Sequence, residues 1–218
     1  MNQTEVEHGR ILGLSFRDKQ TMWGFEPADS AIETANLFRE NGLHSILIPG
    51  FGYGRNAKIF IDNGLEVTGI EISETAIALA KKHYGDNLKV YHGAVSAMPF
   101  DQEVYDGIFC YALIHLLDEE ERAKLIRDCY SQLAPGGMMV FVAISKSTAT
   151  YGQGIELSRN RFETKHGVKL FYYDIEAVEE EFGDYGLVEA KEISEPTKNV
   201  EAKPVQQFWQ VTYRKMEE

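Results

Sequence analysis

The chain has 218 residues, of which 44% are hydrophobic and 26% charged, and its formal charge is 22 − 34 = −12. That is enough chain for one domain with a sizeable core, at a composition close to the soluble globular average. The longest apolar run, residues 138–144, falls far short of the ~20 residues of a membrane helix, and an acidic chain without a Lys/Arg cluster argues against a nucleic-acid partner, since phosphate backbones reward clustered cations.

The first ten residues are polar and carry Glu5 and Glu7, unlike a signal peptide, so a cytoplasmic location is expected. Cys110 and Cys129 fit neither a disulfide framework nor a metal-ligand spacing, and the six histidines are scattered, so no metal site is expected. Residues 1–41 hold one helical pattern in Ala31, Thr34, Ala35 and Phe38. A short apolar run at 45–48 follows. It leads into Pro49-Gly50-Phe51-Gly52-Tyr53-Gly54 and then a helical face of Ala57, Phe60 and Ile61.

Strands are expected at 66–70, 88–92, 107–110 and 138–144, separated by helices. Ser73 stands where it can cap one helix. Asp118 can cap another, with Glu121 in the reciprocal capping-box position. The stripe of that second helix reads as Ala123, Ile126, Tyr130 and Leu133, and Pro135-Gly136-Gly137 should stop it. Alternating strands and helices predict an α/β, Rossmann-like sheet, mostly parallel, with helices on both faces. Residues 187–193 and 207–213 read as strands with no helix between them, so they should pair antiparallel. The sheet then has seven strands and a C-terminal antiparallel hairpin.

The glycine turn carries the chemistry. Glycine is favoured where a turn needs positive φ or where backbone must touch a ligand. Glu71, about 20 residues on at a strand end, can accept hydrogen bonds from the two hydroxyls of a ribose. Turn and carboxylate together point to a nucleoside cofactor. An NAD(P)-dependent oxidoreductase shares both features, but its G-x-G-x-x-G pattern would need a glycine at Arg55.

The order Ile46-Leu47-Ile48-Pro49-Gly50-Phe51-Gly52-Tyr53-Gly54, Val67-Thr68-Gly69-Ile70-Glu71-Ile72-Ser73, Met98-Pro99-Phe100, Tyr105-Asp106-Gly107-Ile108-Phe109 and Leu133-Ala134-Pro135-Gly136-Gly137 resembles class I S-adenosylmethionine-dependent methyltransferases. Pro49 before the glycines is similar to the thiopurine and tellurite-resistance branch, which acts on small molecules. The resemblance implies S-adenosylmethionine as cofactor, methyl transfer to a small-molecule acceptor, and a single domain divided as follows: 1–41 a helical cover, 42–144 the cofactor core, 145–173 a substrate-lid loop, and 174–218 a helix and strand pair.

It also implies roles by position. Gly50, Phe51, Gly52 and Gly54 would pass under the methionine moiety and ribose. Glu71 would hold the ribose, Ile72 would pack on the adenine, and Ala94 and Val95 would lie near the adenine amino group. Cys110 and Tyr111 would stand beside the methyl group. Trp23, in an aromatic N-terminal segment, would cover the cofactor. Two positions depart from the pattern: Ile48 and Ala94 stand where many members have acidic residues, so a non-catalytic binding module stays open as an alternative.

In-line methyl transfer needs alignment, exclusion of water and sometimes a base. His115, just past Tyr111, is the expected base, and Tyr111 the second catalytic candidate. Cys110 reads as a small apolar strand-end residue rather than a nucleophile. The long segment 145–173 leaves the carboxyl end of a central strand, where ligands of open α/β sheets bind. Its Tyr151, Phe162, Phe171, Tyr172 and Tyr173 are candidates for a substrate-pocket lining.

Overall fold

A computed structural model of the protein describes residues 24–196 and 204–217. Helix α1 (Asp29–Glu40) precedes β1 (Ser45–Pro49), α2 (Ala57–Asp62), β2 (Glu66–Glu71), α3 (Glu74–Tyr84), β3 (Lys89–His92) and β4 (Tyr105–Tyr111). Then come α4 (Glu119–Ser131), β5 (Leu133–Ile144), a small meander of β6 (Ile155–Ser158), β7 (Arg161–Glu163) and β8 (Lys169–Phe171), α5 (Ile175–Phe182), β9 (Leu187–Glu195) and β10 (Gln206–Arg214). The main sheet has seven strands in the order β3-β2-β1-β4-β5-β10-β9. β10 runs antiparallel to both of its neighbours, and the other pairings in the sheet are parallel.

The period-2 alternation of the strands divides the core into two layers. Ile108 and Cys110 of β4 and Met139, Phe141 and Ala143 of β5 meet Leu125, Ile126 and Cys129 of α4 and Val178 and Phe182 of α5. Phe109 of β4 and Met138, Val140, Val142 and Ile144 of β5 point the other way, onto Ala31, Ala35 and Phe38 of α1 and Phe60 of α2. Helices thus cover both faces. The carboxyl ends of β1, β2, β4, β5 and β9 gather along one edge, which is where the chain leaves its functional groups.

The helix caps stand where the sequence places them. The Ser73 side chain accepts from the Ala76 amide, and Asp118 and Glu121 form the reciprocal box at α4. The buried stripe of α4 is rotated by one residue: Arg122, Leu125, Ile126 and Cys129 are buried, whereas Ala123 is exposed. Arg122 takes the inner position because Glu181 of α5 lies 2.7 Å from it and the Phe171 ring 3.9 Å below its guanidinium. Such a partnered charge is the exception to the rule that charges stay outside.

Pro135-Gly136-Gly137 does not follow the helix as a plain stop. It lies inside β5, which already pairs with β4 at Tyr105↔Leu133 and resumes at Gly107↔Met138. Between these pairs lie four residues of β5 and one of β4, so the intervening backbone bulges out. Gly136, at φ +74°, donates to the Lys215 carbonyl, and the Lys215 amide donates to Gly137.

Segment 145–173 is not a plain loop either. It folds into the β6-β7-β8 sheet, pinned by edge-on contacts of Tyr151 with Phe162 and Tyr172. Phe162, Tyr172 and Tyr173 are buried, so these rings hold the meander to the body.

Candidate active site

At the end of β1 the backbone turns through Gly50, Gly52 and Gly54, all at positive φ (72°, 58° and 83°). The Gly50 and Phe51 amides both donate to the Ile70 carbonyl, which locks the turn to the neighbouring strand. The three glycines are required for different reasons. A Cβ on Gly50 would press on Leu113 at 3.0 Å and one on Gly54 on Tyr84 at 2.9 Å, whereas a Cβ on Gly52 would meet nothing within 4 Å. Gly52 therefore presents bare backbone to open space, which a ligand can fill. Phe51 points beneath the turn into the core, so close to Gly69 that a Cβ there would sit 2.3 Å from its ring. Only its backbone belongs to the turn.

Glu71 closes this arrangement. Its Oε2 accepts from the Gly52 amide at 2.7 Å and its Oε1 from the Ser73 amide at 2.8 Å. The carboxylate is buried, and burial pushes its pKa above the ordinary carboxylate value, against the opposing pull of the Ser73, Gly52 and Ile72 amides. Ile72 beside it is half-buried, leaving apolar surface at the rim. Its carbonyl receives His92 Nε2 at 3.1 Å. Ala94 precedes a short turn, Val95–Ala97, and the Gly93 amide donates to the Glu71 carbonyl. Ala94 thus stands near Glu71 through the backbone. The Val95 side chain packs on the α4 side of the core.

The end of β4 divides its residues between the two layers. The Cys110 side chain is fully buried in the core, and burial pushes its thiol far above the usual range. Cys110 can therefore offer the site only its backbone. Tyr111 faces the other way. Its hydroxyl donates to Glu195 Oε2 at 2.6 Å, and the Arg55 guanidinium stands 5.7 Å from its ring centre. Burial, then the Glu195 charge and hydrogen bond, hold the phenol well above its usual pKa, with Arg55 opposing. Ala112 follows at φ 53°. A non-glycine residue in that region stores about 1–3 kcal/mol of strain, a cost that concentrates at functional sites.

His115, the expected base, stands buried after β4. Its Nδ1 accepts from the Ile144 amide at 3.1 Å, and burial drives its pKa down to about 3. The imidazole is neutral, its remaining proton sits on Nε2, and it has no lone pair free to take a proton. It fastens the end of β5 instead.

Trp23 lies outside the described residues. The chain that follows it crosses the glycine turn: Tyr53 Oη donates to the Gly24 carbonyl at 2.6 Å, Arg55 to Glu26 at 3.3 Å, and the Ala28 amide to Asn56 Oδ1 at 3.0 Å. Four residues that sequence reasoning passed over thus shape the site: Tyr53, Arg55, Asn56 and Glu195. The first three sat inside the motif, hidden between its glycines and the helix. Glu195 had no local signal. Among the described residues, no group of three or more His, Cys, Asp or Glu is placed to hold a metal, and no helix is long and apolar enough to cross a membrane.

Residues 46–137 match the family model described as a methyltransferase domain. The sheet order and the glycine turn agree with this match and with the class I S-adenosylmethionine-dependent methyltransferases that the sequence resembles, and S-adenosylmethionine is the cofactor of that class. A ubiquinone biosynthesis O-methyltransferase of Coxiella burnetii is 27% identical over 109 residues, covering 49% of this chain and 46% of that protein. The chain thus spans about half the length of the curated relatives it matches.

Among solved structures, the 1,6-didemethyltoxoflavin-N1-methyltransferase of Burkholderia thailandensis, with bound 1,6-didemethyltoxoflavin and S-adenosylhomocysteine, superposes with a TM-score of 0.70. It is 18% identical, covering 98% of this chain and 91% of that one. TehB of Haemophilus influenzae gives 0.65 at 21% identity, covering 94% and 67%. At these identities the structural likeness establishes the fold.

Proposed function

We propose that the protein transfers the methyl group of S-adenosylmethionine to a small-molecule acceptor by in-line displacement. The observation that carries this reading is Glu71: a buried carboxylate anchored by two amides, one of them from Gly52, whose outer face is open. An anchored carboxylate suits a vicinal diol, and each charge-assisted hydrogen bond is worth roughly 1.5–3 kcal/mol. Glu71 holds the ribose hydroxyls, Ile72 covers the adenine, and Gly50, Gly52 and Gly54 underlie the methionine moiety. The contact to the adenine amino group comes from the backbone around Ala94 and Val95. The bound sulfonium supplies a methyl group already activated for displacement.

The remaining work falls to the chain: align the acceptor, exclude water and receive a proton. Residues 24–28, tied across the turn, exclude water from the cofactor side. Tyr111 stands beside the acceptor, and the 145–173 segment walls the acceptor side as a lid. Nucleic acid is not the acceptor in this reading, and the site of action is the cytoplasm.

Calorimetric titration with S-adenosylmethionine, S-adenosylhomocysteine and NADH tests the reading. Micromolar binding of the two sulfur nucleosides, with none of NADH, is expected. Binding of NADH alone overturns it in favour of an oxidoreductase. Cofactor binding without turnover of any acceptor assigns the departures at Ile48 and Ala94 to a binding module.

A further inference from the structure

The carboxyl edge of the sheet holds a second buried carboxylate that the cofactor site does not require. Glu195 ends β9 and is 5% exposed. Its Oε2 accepts the Tyr111 hydroxyl and its Oε1 the Ser30 amide, both at 2.6 Å. Ser30 lies in the first turn of α1, whose cap position, Ala28, has no side chain to offer. The carboxylate therefore also faces the positive end of the peptide dipoles of α1. A buried carboxylate is costly unless it is paired, and here a phenol hydroxyl and a helix-end amide pair it.

The Tyr111 proton is thus committed to Glu195, the Arg55 guanidinium also hydrogen-bonds the phenolic oxygen, and one lone pair is left for a further donor. His115, which follows β4 at this edge, is already engaged by the Ile144 amide. Among the described residues, the Tyr111–Glu195 pair offers a route by which a proton can leave an acceptor bound beside Tyr111.

We propose that Glu195, acting through Tyr111, receives the proton an acceptor hydroxyl loses on methylation, and that the acceptor is an alcohol or phenol too weakly acidic to ionise by itself at neutral pH. This rests on the methyltransferase reading above. As the acceptor oxygen bonds to the methyl carbon, the methyl–sulfur bond breaks and its electron pair neutralises the sulfonium. The acceptor proton passes to Tyr111 Oη while the phenolic proton passes to Glu195, which becomes neutral and is reset by solvent. Tyr111 touches the acceptor. Glu195 is a positioning residue and the end of the relay.

The test compares the wild type, Tyr111→Phe, Glu195→Gln and the double variant on a series of phenols running from 4-nitrophenol to 4-methoxyphenol, with S-adenosylhomocysteine affinity measured in parallel. A relay predicts a defect that grows as the acceptor becomes less acidic: tenfold or more in kcat for 4-methoxyphenol, in the range of a lost general base, and little for the largely ionised 4-nitrophenol. Cofactor affinity should stay within about twofold, and the double variant should be no worse than the worse single one, as for residues that act as a unit.

Equal loss along the series, or no loss, overturns the relay, as does a wild type that binds S-adenosylhomocysteine yet methylates none of the phenols. A wild type that does not bind S-adenosylhomocysteine overturns the methyltransferase reading itself, and the relay with it. Should Glu195→Gln fail to fold, Tyr111→Phe, which keeps the ring and its packing, decides the matter.

Discussion

Glu71 and Glu195 are both buried carboxylates at strand ends on one edge of the sheet, yet they are held in opposite ways. Glu71 is fixed by amides two and 19 residues away in sequence, so its setting is built by one β-turn-α unit. Glu195 is fixed by groups 84 and 165 residues away, so its setting exists only when β4, β9 and α1 have come together. The first is a property of a motif, the second of the whole fold. Motif-built sites recur on many proteins with one cofactor, whereas fold-built ones vary with the acceptor, consistent with function living in sites placed on a common scaffold.

The sharpest way to break this comparison is through binding. Glu71→Ala should weaken S-adenosylhomocysteine binding tenfold or more, at least ~1.4 kcal/mol, while Glu195→Ala leaves it within about twofold. Calorimetry showing equal losses would mean that the two carboxylates serve one site.

A second difference should appear in stability. Glu195→Ala strips the buried Ser30 amide of its acceptor and α1 of its cap, which should cost about 1–2 kcal/mol in denaturant unfolding and speed exchange of the Ser30 amide. An unchanged midpoint together with unchanged exchange would show that water replaces the carboxylate.

Acid sharpens the contrast between Glu71 and His115. With a folded pKa of about 3 against 6.5 in the unfolded chain, the unfolded state takes up the His115 proton first. Stability contributed by the neutral imidazole is therefore full above pH 6.5 and is lost as the pH falls from there towards 3. Glu71 works in the other direction, because its raised pKa lets the folded state take up a proton before the unfolded one. His115→Asn, whose side-chain oxygen can still accept from Ile144, should flatten the acid limb of the stability profile. An unaltered limb would assign acid loss to other groups.

The smallest effect should come from Asp118→Ala. Losing the capping box at α4, whose bonds join only Asp118 and Glu121, costs about 1 kcal/mol and should leave cofactor affinity untouched. A change in affinity would show that α4 reaches the site.

The same division explains what could be read along the chain. The five parallel strands, the C-terminal hairpin, both capping signals and the Glu71 turn depend on contacts within a few residues or within one unit, and all were legible. The rotation of the α4 stripe was not: Arg122 counts as polar in any pattern, and only Glu181 and Phe171, brought by α5 and β8, make its burial acceptable. The meander was hidden because strands of three and four residues are too short to establish a period, and the alternation of Ile155-Glu156-Leu157-Ser158 leaves its apolar residues exposed rather than buried. The setting of His115 was not legible either. Its place after β4 suits a base, but the Ile144 amide that occupies its lone pair arrives from a different strand.

The strand order carries a consequence for how the molecule is made. β10 lies between β5 and β9, and both are synthesised before it. Until β10 emerges, β5 has an unpaired edge and β9 has no neighbour at all, so Glu195 cannot yet be delivered to Tyr111 and Ser30. A ribosome-bound chain can thus assemble the glycine turn and Glu71 early, while the acceptor side waits for the strand that bridges it to the sheet. The interval leaves the apolar edge of β5 open to pairing with other chains during synthesis.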